Sequence, residues 1–209
     1  MSAADHDFET TYSETVYEGN ILALRAYDVR MPGGRTARRE VVEHYGAVAV
    51  AAVDDRRRVA VIYQYRHALG RRLWELPAGL LDAAGEDPLE TAKRELQEEA
   101  GLAAAEWRVL LDIASSPGFS DESVRVYLAS GLAEVDRPHA HDEEADLSVH
   151  WFPLEIAAEM VLTGEVVNSS AVAGVLAAYA VVVDGQPSRP LYAPWRDRPT
   201  AFTDRRARR

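Results

Sequence analysis

Cysteine is absent from this sequence of 209 residues. That absence excludes disulfides, thiolate metal sites and a cysteine nucleophile. It accords with the reducing interior of a cell, and a cytoplasmic protein is the expectation. Long hydrophobic runs are also missing. The most apolar stretch, residues 171–183, falls short of the ~20 residues that span a bilayer and reads as a buried helix. Residues 1–28 are acidic and lack a continuous apolar core, so neither a secretory signal nor a membrane partner is expected. Positive charge is in deficit: 23 lysines and arginines face 34 aspartates and glutamates, a formal net charge of -11. Nucleic acid is therefore not expected as a partner, because a phosphate backbone needs a basic face. An acidic protein can still take a nucleotide diphosphate if a divalent cation neutralises both sides.

What is present suits one globular domain with an accessory element, with 47% hydrophobic and 27% charged residues. Turn signals at Gly19-Asn20 and Pro32-Gly33-Gly34 separate extended segments at 10–18, 21–30 and 36–45. These three segments are polar, and a three-stranded sheet of that kind needs a partner surface. Residues 46–53 and 59–65, rich in Val and Ala, suit strands buried on both faces. Further strands are expected at 107–114, 123–129 and 147–152, and helices at 154–162 and 169–182. Residues 186–209, with four prolines among many arginines, read as a surface-clinging or disordered tail, its arginines solvated rather than bound to nucleic acid. The expected fold class is α/β (α+β): a sandwich around a mixed sheet, with a small N-terminal antiparallel sheet. The division that follows is an N-terminal element (1–45), a central domain (46–185) and the tail (186–209).

The spacing predicts a helix over 88–100. Asp87 is a good N-cap, Pro88 takes the first helical position, and Glu90 has the spacing of a capping box. Leu89, Ala92, Leu96 and Ala100 form its apolar stripe, and Gly101 ends it. Glu95 and Glu99 stand four residues apart and share a face, with Glu98 beside them. Repulsion between them would become attraction around a divalent cation, which prefers hard oxygen ligands. Arg94, four before Glu98, can pair with it. The alternative is a solvated acidic helix face.

The stretch from Gly79 to Glu86, followed after seven residues by Arg94-Glu95-Leu96-Gln97-Glu98-Glu99-Ala100-Gly101-Leu102, resembles the Nudix box, G-x5-E-x7-R-E-U-x-E-E-x-G-U with U a bulky aliphatic residue. Six residues, where that pattern has five, lie between Gly79 and Glu86. The lead-in Trp74-Glu75-Leu76-Pro77-Ala78-Gly79 resembles the E-x-P-A-G of the ADP-ribose pyrophosphatase subfamily. Pro117, sixteen residues beyond Gly101, has the spacing that marks that subfamily. The similarity runs from about Thr15 to Tyr179.

The resemblance implies a Nudix-type α/β/α sandwich and a metal-dependent hydrolase that cuts ADP-ribose, or a related nucleotide sugar, at its diphosphate. It implies Mg²⁺ or Mn²⁺ as cofactor, with Glu95, Glu99 and the backbone carbonyl of Ala78 as ligands and Glu98 ligating or orienting. Arg94 and Glu86 would fix the helix against the loop, giving Arg94 a catalytic part through positioning. The general base is expected in the acidic loop at 141–146, as Glu144 with Glu143 the rival; a solvated loop is the alternative. Arg66 is the expected diphosphate contact, since guanidinium groups pair well with phosphate oxygens. Arg39 is assigned to a neighbouring active site across a homodimer built from the N-terminal hairpins, and Ser120 and Glu122 to the terminal ribose. Each of these four has a plain alternative as a surface ion-pair residue. Two other functions stay open: a pyrophosphatase for another nucleotide sugar or an oxidised nucleoside triphosphate, and a non-catalytic module that senses ADP-ribose.

Overall fold

The computed structural model describes residues 7–83, 85–137 and 147–208. Contacts divide the chain into two compact units: Met1–Gly46 with Ala114–Ser123 and Asp197–Arg209, and Ala47–Ile113 with Val124–Arg196. In the first unit, β1 (Thr10–Glu18), β2 (Leu22–Arg30) and β3 (Thr36–His44) form an antiparallel sheet in that order. The positive φ of Gly33 and Gly34 supplies the β2–β3 turn that side chains resist. Only Ala23, Ala26 and Glu43 are fully buried on these strands, which fits the polar sequence.

The second unit opens with β4 (Ala47–Ala52) and β5 (Arg58–Arg66), then β6 (Arg71–Glu75) and β7 (Ala78–Leu80). Helix α1 (Pro88–Ala100) precedes β8 (Leu102–Ala114), β9 (Ser123–Glu134) and β10 (Ser148–Pro153). Helices α2 (Leu154–Leu162) and α3 (Ser169–Val182) follow. A mixed sheet runs β7-β4-β9-β8, with β4 parallel to β9 and antiparallel to β7; a second, antiparallel sheet runs β10-β5-β6.

The alternation of β4 explains the layers. Val48, Val50 and Ala52 pack with Leu89, Ala92 and Leu96 of α1. Ala49 and Ala51 pack on the other side with Leu154 of α2 and Val175 of α3. Both faces of the strand are thus covered, as its unbroken apolar run requires. Leu96 is fully buried, and its truncation to Ala would cost about 2–5 kcal/mol. The mixed α/β sandwich is the expected fold class.

Several local expectations need correction. β6 and β7 were not anticipated, because one is short and charged and the other is three residues long after a proline. β8 and β9 run longer than 107–114 and 123–129. The Asp87 side chain caps α1 by accepting from the N–H of Leu89 (2.9 Å), while Glu90 pairs with Lys93 rather than completing a capping box. The stretch read as a surface-clinging or disordered tail is ordered at its end as helix α4 (Ala201–Ala207), whose Phe202 is fully buried in the first unit. A single anchoring aromatic among arginines leaves no periodicity to read.

Candidate active site

The second unit gathers most of the candidate residues on α1 and the strand before it. Asp87 and Pro88 fix where α1 starts, and the left-handed Gly101 fixes where it ends. Between them, helical spacing puts Glu95 and Glu99 on one face. Both are buried, at 8% and 5% exposure. Buried carboxylates are costly unless something compensates them. The N–H of Ala78 donates to Glu99 Oε2 at 2.8 Å, tying β7 to α1.

Gly79 lies against Glu95. A Cβ there would come within 2.1 Å of the Glu95 carboxylate carbon, so only glycine fits. In this chain that contact holds the first position of the box to glycine.

Arg94 fans across the acidic face. Its Nη1 donates to Glu95 Oε1 (2.6 Å) and Glu98 Oε2 (2.9 Å), and its Nη2 lies 3.3 Å from Glu86 Oε2. Burial works against the charged guanidinium, but the bond to Glu86 and the charges of Glu95 and Glu98 hold its pKa above the ordinary value. The Arg94 hydrogen bond, helped by the Thr91 hydroxyl at 2.8 Å, holds Glu86 below the usual carboxylate range. Among the described residues no three His, Asp or Glu side chains converge as a ready-made metal cluster. Arg94 draws Glu95 and Glu98 toward itself, and Ala78 holds Glu99. The donors at hand are hard oxygens, which suit a hard divalent cation.

Arg66, in the same unit, makes a two-pronged pair with Glu75: Nε to Oε1 at 2.8 Å and Nη2 to Oε2 at 2.6 Å. Glu75 is almost fully buried. In the β5–β6 register Glu75 faces Ile62 while Arg66 faces Arg71, so it is the reach of the two side chains between paired strands that brings Glu75 to Arg66. Arg39, Ser120 and Glu122 belong to the first unit. Arg39 is exposed and donates to the carbonyl of Arg38 (3.0 Å). The Ser120 hydroxyl donates to the Val42 carbonyl and accepts from the N–H of Glu122, both at 3.1 Å. Glu122 lies 3.7 Å from His44 Nδ1. Glu143 and Glu144 fall outside the described residues.

The model of the NUDIX domain matches residues 42–169, the span that contains this carboxylate helix. The chain belongs to the Nudix family. Among its Nudix relatives, the ADP-ribose pyrophosphatase of Mycobacterium tuberculosis is 62% identical over 99% of this chain and 100% of its own length. The ADP-ribose pyrophosphatase of Bacillus subtilis is 38% identical over 77% of this chain and 86% of its own. A solved structure titled an ADP compounds hydrolase superposes with a TM-score of 0.74, covering 89% of this chain and all of the other. At 19% identity, that likeness shows the fold. No described helix is long and apolar enough to cross a membrane.

Proposed function

We propose that this Nudix protein hydrolyses the diphosphate of ADP-ribose to AMP and ribose 5-phosphate in the cytoplasm. The observation that carries the reading is the buried Glu95–Glu99 pair set against Gly79. It occurs in a chain 62% identical to an ADP-ribose pyrophosphatase over nearly its whole length.

A diphosphate resists hydrolysis because its charge repels hydroxide; a bound divalent cation neutralises phosphate oxygens and lowers the pKa of the attacking water. Glu95, Glu98, Glu99 and the Ala78 carbonyl are the oxygen donors that would hold Mg²⁺ or Mn²⁺. Arg94 keeps the carboxylates in place while Glu86 braces Arg94, and this positioning matters because phosphoryl transfer depends on alignment. Glu144, or its neighbour Glu143, takes the proton of the attacking water. Arg66, steadied by Glu75, pairs with the diphosphate, and Glu122 with Ser120 beside it receives the terminal ribose. A homodimer through the N-terminal strands brings Arg39 to the partner's substrate.

A substrate panel with product analysis tests this. Release of AMP and ribose 5-phosphate from ADP-ribose, dependent on Mg²⁺ or Mn²⁺, is expected. Faster turnover of another nucleotide sugar would replace the substrate. Tight binding of ADP-ribose without turnover would make the chain a sensor.

A further inference from the structure

Trp74 belongs to the lead-in of the box, yet the candidate active site draws only on the residues that follow it. Alternation along β6 turns Trp74 to the face opposite Glu75. There it lines a cleft of about 370 Å³ within the second unit, walled also by Phe152, α2 and the turn after α2. Ile156, Glu159, Met160 and Thr163 recur at helical spacing and give α2 one stripe toward this cleft. The rings of Tyr63 (4.4 Å), His150 (4.9 Å) and Phe152 (5.4 Å) pack Trp74 in place, and the indole stays partly exposed.

The cleft joins an apolar lining to acidic charge. Trp74, Phe152, Ile156 and Met160 supply the carbon surface, and Glu159 and Glu165 the charge. The turn that carries Glu165 is held by its backbone: the N–H groups of Glu165 (2.9 Å) and Val166 (3.0 Å) both donate to the Met160 carbonyl, and Val166 is buried. The Thr163 hydroxyl donates back to the Glu159 carbonyl at 3.0 Å, so its one proton is spent within the helix. No basic side chain lines the cleft, and among the described residues neither glutamate has a cationic partner.

An aromatic and aliphatic slot beside two carboxylates suits a cation carried on an alkyl stem. Guanidinium fits better than ammonium, because its plane stacks on an indole while its fork reaches a carboxylate. A free amino acid would bring its own carboxylate to the acidic side, whereas an arginine within a chain has neutral neighbours. Leu162, beside Thr163 in sequence, is 81% exposed, and Val167 is exposed after it. Apolar surface of that kind suits contact with a polypeptide.

We propose that this cleft receives an arginine side chain of a partner polypeptide, with Trp74 as the stacking surface and Glu159 and Glu165 as the counter-charges. The proposal does not depend on the ADP-ribose reading.

An NMR titration of the full-length protein at saturating Mg²⁺ tests it, with the peptide acetyl-Ala-Arg-Ala-amide as probe. Its citrulline counterpart, equal in shape but uncharged, and free arginine are the comparisons. The arginine peptide is expected to shift amide signals of β6, residues 152–165 and the Trp74 indole, and to bind about tenfold tighter than either comparison. Glu159→Gln combined with Glu165→Gln, both at exposed positions, should remove about that tenfold preference while turnover of ADP-ribose and the melting temperature stay unchanged. Trp74→Phe should weaken the peptide severalfold, since the smaller ring is the poorer cation platform. Equal binding of the citrulline peptide would overturn the proposal, and so would an undiminished preference in the double variant. Shifts confined to α1 would place the cation on the carboxylate helix and overturn it as well. Free arginine binding as tightly as the peptide would overturn the polypeptide partner.

Discussion

Gly79 and Glu95 are packed so closely that one added methyl on the glycine would occupy the space of the Glu95 carboxylate. Gly79→Ala must therefore displace either β7 or the carboxylate. Overpacking of this kind costs about 1–3 kcal/mol. Because Glu95 is a candidate ligand, the larger effect should be catalytic: a fall in kcat on the order of 100-fold, the toll of misplacing a reacting group by an ångström. Near-normal turnover in a folded Gly79→Ala variant would show that Glu95 does not need its present position.

Glu99→Gln separates charge from structure at the other buried carboxylate. The amide oxygen can still accept from the N–H of Ala78, so the link between β7 and α1 should survive. What is lost is one charged oxygen donor. Turnover is expected to drop on the order of 100-fold or more, and added Mg²⁺ or Mn²⁺ should not restore it. A folded variant that reaches the wild-type rate at saturating metal would remove α1 from the metal site.

Sequence patterns read well wherever periodicity and capping act together. Asp87, Pro88 and Gly101 bracket α1 at the same ends in sequence and structure, and the burial of β4 on both faces follows from its unbroken apolar run. The box residues were legible for the same reason, since helical spacing alone puts Glu95 beside Glu99. What was not legible depends on contacts far apart in the chain. Nothing local in Ala201–Ala207 announces a helix; Phe202 is buried because Tyr45 is there to receive it. Glu75 could not be linked to Arg66 without the β5–β6 pairing.

Substitution tests the proposed general base. If Glu144 takes the proton, Glu144→Gln should lower kcat by about 100-fold or more and leave substrate affinity little changed, because the group acts in the transition state. Single-turnover rates and equilibrium binding measured together check this. An active Glu144→Gln beside an inactive Glu143→Gln would move the role one residue earlier.

Asp54 gives a test of acid stability away from the site. In the β4–β5 turn its Oδ1 accepts from the N–H groups of Arg56 (2.9 Å) and Arg58 (2.8 Å), and its Oδ2 from Arg58 Nε (2.8 Å). Partial burial pushes its pKa up, but these bonds and the Arg58 charge outweigh it and hold the group below its usual value. A lowered folded-state pKa means stability that is present above the unfolded value of about 4 and is lost as pH falls through the folded one. Asp54→Asn should therefore be less stable than wild type near neutrality, and the gap should close as the pH falls below 4. Chemical denaturation at several pH values measures this. A gap that stays constant with pH would mean that the charge contributes nothing.

The edge strand β1 supplies the test of assembly. It pairs with β2 along one side only in the described sheet, and it exposes Tyr12, Val16 and Tyr17. An unpaired strand with exposed apolar side chains invites association, and a second copy is the partner that closed symmetry favours. Tyr12→Glu combined with Val16→Glu should burden that surface with charge without touching the buried Ala23 and Ala26 of β2. The expected result is a folded monomer by sedimentation. If Arg39 serves the partner's active site, turnover of ADP-ribose should be lost together with the dimer, and Arg39→Ala alone should reduce turnover while the dimer persists. A monomeric variant with full activity would end the idea of a shared site, and a variant that remains dimeric would move the interface away from β1.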